Sequence, residues 1–366
     1  MKIHKTILVA PLNWGLGHAT RSIPIIYALL ADGFEVIIAS DGMALTLLQK
    51  EFPQLEGIEL PSYKIEYAKK GKRFKWKMLL RSPKVLKAIR QEREQLKELV
   101  KNKKIDGVIS DNRLGLYHTE IPTVFITHQL QVLSGSTTRL TSAMHRSYIK
   151  KFDECWVPDF ADDANLSGKL GHPKKFEIPV KYIGALSRLE QKETASSYDI
   201  MVLLSGPEPQ RTELEEILMH ELKHYKGQVL FVRGVVEAEQ KVTRKEQVKI
   251  VNFMETEDLQ NAICSSDLVI CRSGYTTIMD LFKLGKKAFF IPTPGQTEQE
   301  YLAKRLHSMG IVPYKDQEKF SLKDLSKVKV FTGFEPLLNQ RRFGEGSFGE
   351  LFGLFKGERK LRSHSK

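Results

Sequence analysis

Two stretches of this sequence gather residue types able to move a proton or hold a phosphate. The first is Asn13-Trp-Gly-Leu-Gly-His18-Ala-Thr-Arg21. Gly15 and Gly17 let the chain turn sharply and bring backbone N–H groups up to a ligand. His18 follows at a strand's carboxyl end, where the positive end of a helix dipole disfavours the imidazolium. A neutral imidazole there suits a general base that takes a proton from an incoming hydroxyl, with Asn13 and the two glycines on the acceptor side. A plain tight turn accounts for the same glycines. The second stretch is Cys271-Arg-Ser-Gly-Tyr-Thr-Thr-Ile-Met-Asp280. Arg272, Ser273 and Gly274, with Tyr275, Thr276 and Thr277 opening a helix, offer a phosphate a cation, hydroxyls and N–H groups. Asp280 lies one turn after Thr276 on the same face, where a carboxylate can accept both ribose hydroxyls. A capped helix with a solvated Asp280 is the plainer alternative. In Ser110-Asp-Asn-Arg113, Asp111 is suited to orient a base or hold an acceptor, or else to cap a helix. Ser134, Ser136 and His145 show no order that supports nucleophilic catalysis.

Those side chains must be held by elements, and the apolar pattern supplies them. Thr6–Ala10, Gly33–Ala39, Asp106–Ser110, Pro122–Ile126, Glu154–Val157 and Val180–Ile183 read as short buried strands. Between the first two, Ser22–Ala31 has helical spacing, with Pro24 expected in its first turn. The plan repeats at Ile200–Leu204, Gln228–Val232, Val248–Val251, Asp267–Cys271 and Ala288–Ile291, with helices at Thr212–Tyr225, Asp258–Cys264 and Thr276–Leu284. Alternating strands and helices predict an α/β protein with two Rossmann-like, doubly wound parallel sheets facing a central cleft. The expected divisions are residues 1–184, a polar linker at 185–197, a second domain at 198–330, and a basic Gly- and Phe-containing tail at 331–366, docked or disordered.

Residues 266–310 (SDLVICRSGYTTIMDLFKLGKKAFFIPTPGQTEQEYLAKRLHSMG) resemble the donor-binding half of MurG-like glycosyltransferases of the family 28 type. These GT-B enzymes transfer N-acetylglucosamine from a uridine diphosphate sugar onto a membrane lipid intermediate. The resemblance implies that Asp280 binds ribose and that N–H groups from Ser273 to Thr276 hold the diphosphate. Gln299 and Glu300 fall where the family has a sugar-contacting Gln-Gln pair, and Phe253 and Met254 match its uracil-contacting pair. Arg188 matches an arginine near the diphosphate, and His18 matches a proposed catalytic base. Several positions depart from the pattern. Asp280 replaces a Glu, Glu300 replaces the second Gln, and Thr127-His128-Gln129 stands for His-Glu-Gln. The loop Leu204-Ser-Gly-Pro-Glu-Pro-Gln-Arg211 replaces a Gly-Gly-Ser phosphate loop. Pro207 removes an N–H donor there, which leaves Ser205, Gly206, Gln210 and Arg211 to supply the contacts. With no Asp-x-Asp motif, no metal is expected, and Arg188, Arg211, Arg272 and helix dipoles are left to neutralise a departing diphosphate.

The 366 residues carry 57 Lys and Arg against 44 Asp and Glu, a net +13, but the surplus is local. Residues 69–93 hold 11 basic side chains against Glu92 alone, and residues 341–366 hold seven against three; what remains is near neutral. That distribution argues against a nucleic-acid-binding surface. In 69–81 the cations interleave with Phe74, Trp76, Met78, Leu79 and Leu80, which suits an anionic membrane surface, an acidic or phosphorylated glycan acceptor, or a merely solvated loop. The apolar run after Lys5 stops at Pro11, too short for a secretory leader, and three cysteines without CxxC spacing fit a reducing cytoplasm. The expected protein is therefore an inverting hexosyltransferase. It moves a hexosyl group, which the resemblance implies is N-acetylglucosamine, from a UDP-sugar to a lipid- or glycan-linked hydroxyl. The UDP-sugar is co-substrate, no tightly bound cofactor is expected, and the enzyme is cytoplasmic or peripheral at the inner membrane face. A UDP-sugar 2-epimerase, with Glu300 as an added carboxylate, and a non-catalytic nucleotide-sugar-binding subunit are the alternatives.

Overall fold

In a computed structural model, which describes residues 5–63, 83–102, 104–133, 138–235, 237, 239–341 and 348–357, the chain divides into two units. The expected membrane contact at residues 69–82 lies outside the described residues; residues 83–93 begin a helix. The first unit takes the described residues to Ser187 together with 348–357, and the second takes those from Arg188 to 341.

The first unit is built on β1 (Thr6–Pro11), α1 (Gly17–Ala31), β2 (Glu35–Ser40), α2 (Gly42–Glu51), β3 (Gly57–Glu59), α3 (Pro83–Lys101), β4 (Gly107–Asp111), β5 (Thr123–Ile126), α4 (Thr138–Ile149), β6 (Glu154–Val157) and β7 (Val180–Tyr182). Its seven strands run in the order β3-β2-β1-β4-β5-β6-β7, every pair parallel. A parallel strand covered on both faces must be apolar along its whole length, and Ile7 through Ala10 are all buried. Helix α3 covers one face of the sheet: Phe125, Phe152 and Ile149 pack with its Val85 and Ile89, and Leu8, Ile37 and Val108 pack with its Leu96. Two short helical turns, Phe348–Leu351 and Gly353–Lys356, complete this unit. Phe352 and Phe355 are fully buried, edge-on to Phe34, and the Lys5 ammonium donates to the Phe355 carbonyl at 2.8 Å. Gly107 faces the Phe355 ring so closely that a Cβ there would lie 2.6 Å from it.

The second unit holds β8 (Tyr198–Leu203), α5 (Gln210–Leu222), β9 (Val229–Val232), β10 (Val242–Lys245), β11 (Val248–Val251), α6 (Thr256–Cys264), β12 (Ser266–Cys271), α7 (Tyr275–Lys283), β13 (Ala288–Phe290) and α8 (Thr297–Ser308). Its strand order is β10-β11-β9-β8-β12-β13, all parallel except the edge pair β10–β11. The core gathers Val202, Leu214, Leu218, Phe231, Ile270 and Phe289.

Three features depart from the sequence expectation. Helix α1 starts at Gly17, so Pro24 lies inside it rather than in its first turn. The apolar and polar residues around it, Ala19, Arg21, Ser22, Ile23, Ile25 and Ile26, are all buried, and that packing holds the helix despite the missing N–H. Strand β3 is only three residues long and part-exposed. Strand β10 is wholly exposed and carries Arg244 and Lys245, so it has no apolar signature. It exists because a tight turn with Glu246 at φ 56° folds it back on β11.

Candidate active-site residues

In an open parallel sheet, ligands gather outside the carboxyl ends of the strands where the strand order reverses. In the first unit that point lies between β1 and β4, and in the second between β8 and β12. The chain leaves β1 into the His18 loop and ends β4 on Asp111; it leaves β8 into Ser205–Gly206 and β12 into Arg272–Gly274. Topology thus brings the two glycine loops and their partner segments to the two reversal points.

At the first, Gly15 takes φ 71°, while Gly17 is the first helical residue of α1 and needs no unusual conformation. His18 sits in the opening turn of α1 with its Nδ1 2.9 Å from Asp111 Oδ1. Arg21, one turn later, grips the same carboxylate with both arms: its Nε donates to Oδ2 at 2.5 Å and its Nη2 to Oδ1. That Nη2 is also 2.9 Å from His18 Nδ1, and Nη1 is 3.3 Å from His128 Nδ1. The His18 side chain keeps 13% exposure and Asp111 2%. Burial is the main force holding His18 below its usual pKa; Asp111 opposes that shift and Arg21 adds to it. Burial alone would raise the Asp111 pKa, but Arg21 and His18 outweigh it and bring it down to about 2. The carboxylate is therefore a fixed anion. A proton on Nδ1, donated to Asp111, would leave the lone pair on Nε2, the form a general base requires.

Asn13 turns to Asp41, its Nδ2 donating to Oδ2 at 3.2 Å. Behind it Arg113 is fully buried, paired with Asp41 and, at 2.7 Å, with Glu92, which accepts the Tyr63 hydroxyl at 2.7 Å. Arg113 Nε also donates to the Pro11 carbonyl at the end of β1. This buried network anchors the end of the strand from which the His18 loop departs.

In the second unit, Gly206 takes φ 106° and, with Ser205, is exposed at the end of β8. Gly274 precedes α7, whose first N–H groups, on Tyr275, Thr276 and Thr277, have no acceptor within the helix. Ser273 is buried and donates to the Gln299 carbonyl at 2.7 Å, which ties this loop to the start of α8. Gln299 accepts from the Thr293 N–H, and the exposed Glu300 accepts from the Gly295 N–H. Phe253 and Met254 are half-buried between β11 and α6, Asp280 is half-buried in α7, and half-buried Arg188 opens the segment leading to β8.

Two expected phosphate contacts turn inward instead. Arg211 donates to Glu208 and Glu215 at 2.7 Å each and to Thr212 at 2.8 Å, so its charge is already compensated. Arg272 is buried and donates to the carbonyls of Ile291, Pro292 and Gln210 and to Gln317. Its Nε is buried without a partner, and burial lowers its pKa to about 10. It braces the Arg-Ser-Gly loop from below. Gln210 contributes its carbonyl to that brace.

Sequence reasoning missed Arg21, although its spacing of three from His18 on a helix is a legible signal. It also missed Gly234 (φ 70°), where a Cβ would lie 2.2 Å from the Leu204 carbonyl directly before Ser205 and Gly206.

Residues 211–330 match the glycosyltransferase family 28 C-terminal domain. The UDP-N-acetylglucosamine--N-acetylmuramyl-(pentapeptide) pyrophosphoryl-undecaprenol N-acetylglucosamine transferase of Glaesserella parasuis serovar 5 is 25% identical over 352 residues, 92% of this chain and 91% of that protein. For the Haemophilus influenzae (strain PittGG) protein of the same name, the match is 25% over 227 residues, and this chain spans only 61% of that relative's length. Among solved structures, a glycosyltransferase of kitacinnamycin aligns with a TM-score of 0.66 at 14% identity, covering 97% of this chain and 100% of that one. MurG of Acinetobacter baumannii aligns with a TM-score of 0.57 at 14% identity, covering 96% and 99%. The two parallel-sheet α/β units are those of a GT-B fold. Among the described residues no helix is long and apolar enough to cross a membrane.

Proposed function

We propose that this chain, a MurG-like GT-B protein carrying a glycosyltransferase family 28 domain, is an inverting, UDP-dependent hexosyltransferase acting on a hydroxyl acceptor. The observation that carries the reading is the His18–Asp111–Arg21 cluster at the strand-order reversal of the first sheet. His18 Nε2 takes the proton of the acceptor hydroxyl as its oxygen attacks the anomeric carbon. The bond from that carbon to the diphosphate oxygen breaks, UDP departs, and the configuration inverts in one displacement. Asp111 holds the imidazole in the reactive tautomer and stabilises the imidazolium that forms. Asn13, Gly15 and Gly17 line the acceptor side. In the second unit Ser205, Gly206 and the start of α7 hold the diphosphate, where preorganised N–H groups stabilise the growing negative charge. Asp280 takes the ribose, Phe253 and Met254 the uracil, Gln299 and Glu300 the sugar, and Arg188 the diphosphate. The relatives' names favour N-acetylglucosamine as the sugar and a lipid-linked acceptor, and with such an acceptor the enzyme would work at the cytoplasmic face of a membrane.

The test is UDP release and product formation from UDP-N-acetylglucosamine with a lipid-linked acceptor extract. His18→Ala is expected to lower kcat by about 10²–10⁴-fold while UDP binding is kept. Full transfer by His18→Ala would sink the base assignment. Interconversion of the UDP-sugar without acceptor would replace transfer by epimerisation, and UDP binding without turnover of any donor would mark a non-catalytic subunit.

A further inference from the structure

The first unit also holds a cavity of about 660 Å³ that the transfer reaction leaves without a role. Arg139, Ser142 and Arg146 line it from one face of α4, being three and four residues apart. Lys174 and Lys175 also line it, Gln131 contributes from the segment after β5, and among the described lining residues there is no carboxylate. The walls are fixed to one another. The Gln131 N–H donates to the Leu170 carbonyl at 2.9 Å, and the Val132 N–H donates to Ser142 Oγ at 3.0 Å. The loop that carries the lysines is itself pinned by the buried Asp159 carboxylate, which accepts the Leu166 and Ser167 N–H groups at 2.8 Å each and lies 3.2 Å from His172 Nε2. Among the described residues none of the four cations is ion-paired.

Four like charges held around one cavity by cross-bonded walls repel one another and raise the local positive potential, unless an anion fills the space. The volume lies in the range of roughly 300–1,000 Å³ typical of small-molecule sites. Guanidinium forks match the paired oxygens of a phosphate, and ammonium groups neutralise the rest of its charge. We infer that this cavity is an anion site of the first unit that binds a phosphomonoester or diphosphate, carried either by a soluble ligand or by a lipid headgroup. None of the residues assigned to the UDP-sugar lines it, so it is a second phosphate site, beyond the transferase reading.

The experiment titrates the full chain, first saturated with UDP to fill the second-unit loops, with inorganic pyrophosphate by calorimetry. In parallel the chain is floated with phosphatidylcholine vesicles with and without phosphatidylglycerol. Wild type is expected to bind one pyrophosphate, the double variant Arg139→Gln/Arg146→Gln at least tenfold more weakly, and Arg139→Lys/Arg146→Lys in between, all with unchanged Tm and UDP affinity. If flotation on anionic vesicles falls together with pyrophosphate binding, the source is a lipid headgroup. If pyrophosphate binding falls and flotation does not, the ligand is soluble. No pyrophosphate binding by wild type, or equal binding by Arg139→Gln/Arg146→Gln, overturns the site. Failure of UDP to bind would count against the transferase reading alone and leaves the pyrophosphate comparison intact.

Discussion

His18 Nδ1 faces two opposed demands, an anionic acceptor on Asp111 and a cationic donor on Arg21, both at 2.9 Å. The carboxylate wins while it is charged, because it takes the Nδ1 proton and holds Arg21 in a bidentate grip. In Asp111→Asn the anion is gone and Arg21 is free to donate into Nδ1, which moves the imidazole proton to Nε2 and removes the base. The expected result is a fall in kcat of about 10³–10⁴-fold with KM little changed, and nitrogen NMR of His18 showing the Nε2–H tautomer. An unchanged tautomer would refute this account. Under the proposed mechanism the neutral imidazole is the active form, and since burial holds its pKa below the ordinary value, kcat/KM should rise on the acid side and be level at neutral pH. The place of His18 just after β1 was legible in the sequence. Its partners' orientations were not, because a guanidinium points where tertiary neighbours allow: Arg21 reaches a carboxylate 90 residues away, while Arg211 and Arg272 turn inward.

Among the elements, the strands of both sheets other than β3 and β10 were readable as short apolar runs, since a strand buried on both faces leaves no alternation to confuse. The exposed edge strand β10 and the extra turns of α1 were not, because neither shows in local hydrophobicity. Gly234 shows how loops at neighbouring strand ends depend on one another. Its φ of 70° and the Leu204 carbonyl 2.2 Å from a virtual Cβ leave no room for a side chain. Gly234→Ala should cost about 1–3 kcal/mol in urea melts, and it should weaken UDP binding by moving Ser205 and Gly206. A variant with wild-type UDP affinity would show that the β8 loop is not a phosphate contact. On the other unit, Phe355→Ala opens a void beneath Gly107 and Phe34 and should cost about 3–5 kcal/mol, measured by the same melts.

For the molecule as a whole, acid should destabilise through buried neutral groups as well as through carboxylates. Burial lowers the pKa of His145 to about 4, against 6.5 for an unfolded histidine. Between those values the unfolded chain binds the proton and the folded one does not. The stability that His145 contributes is therefore complete above about pH 6.5 and is lost as pH falls towards 4, on the order of 3 kcal/mol in all. His145→Gln should flatten the pH dependence of urea stability between pH 6.5 and 4; an identical slope in both proteins would refute this. The surplus charge behaves differently. It sits in residues 69–93 and 341–366, whereas the rest of the chain is near neutral, so no global charge repulsion is needed to explain either fold.

The return of residues 348–357 to the first unit has a consequence for how the protein is made. The second unit is inserted, in chain order, between two parts of the first. During synthesis the first sheet leaves the ribosome early, yet Phe352 and Phe355 emerge only after the whole second unit has been translated. Until then the groove around Phe34 and Gly107 stays open, and a chain that stops short of residue 355 never closes it. A chain interrupted before Phe352 therefore leaves the apolar surface around Phe34 uncovered.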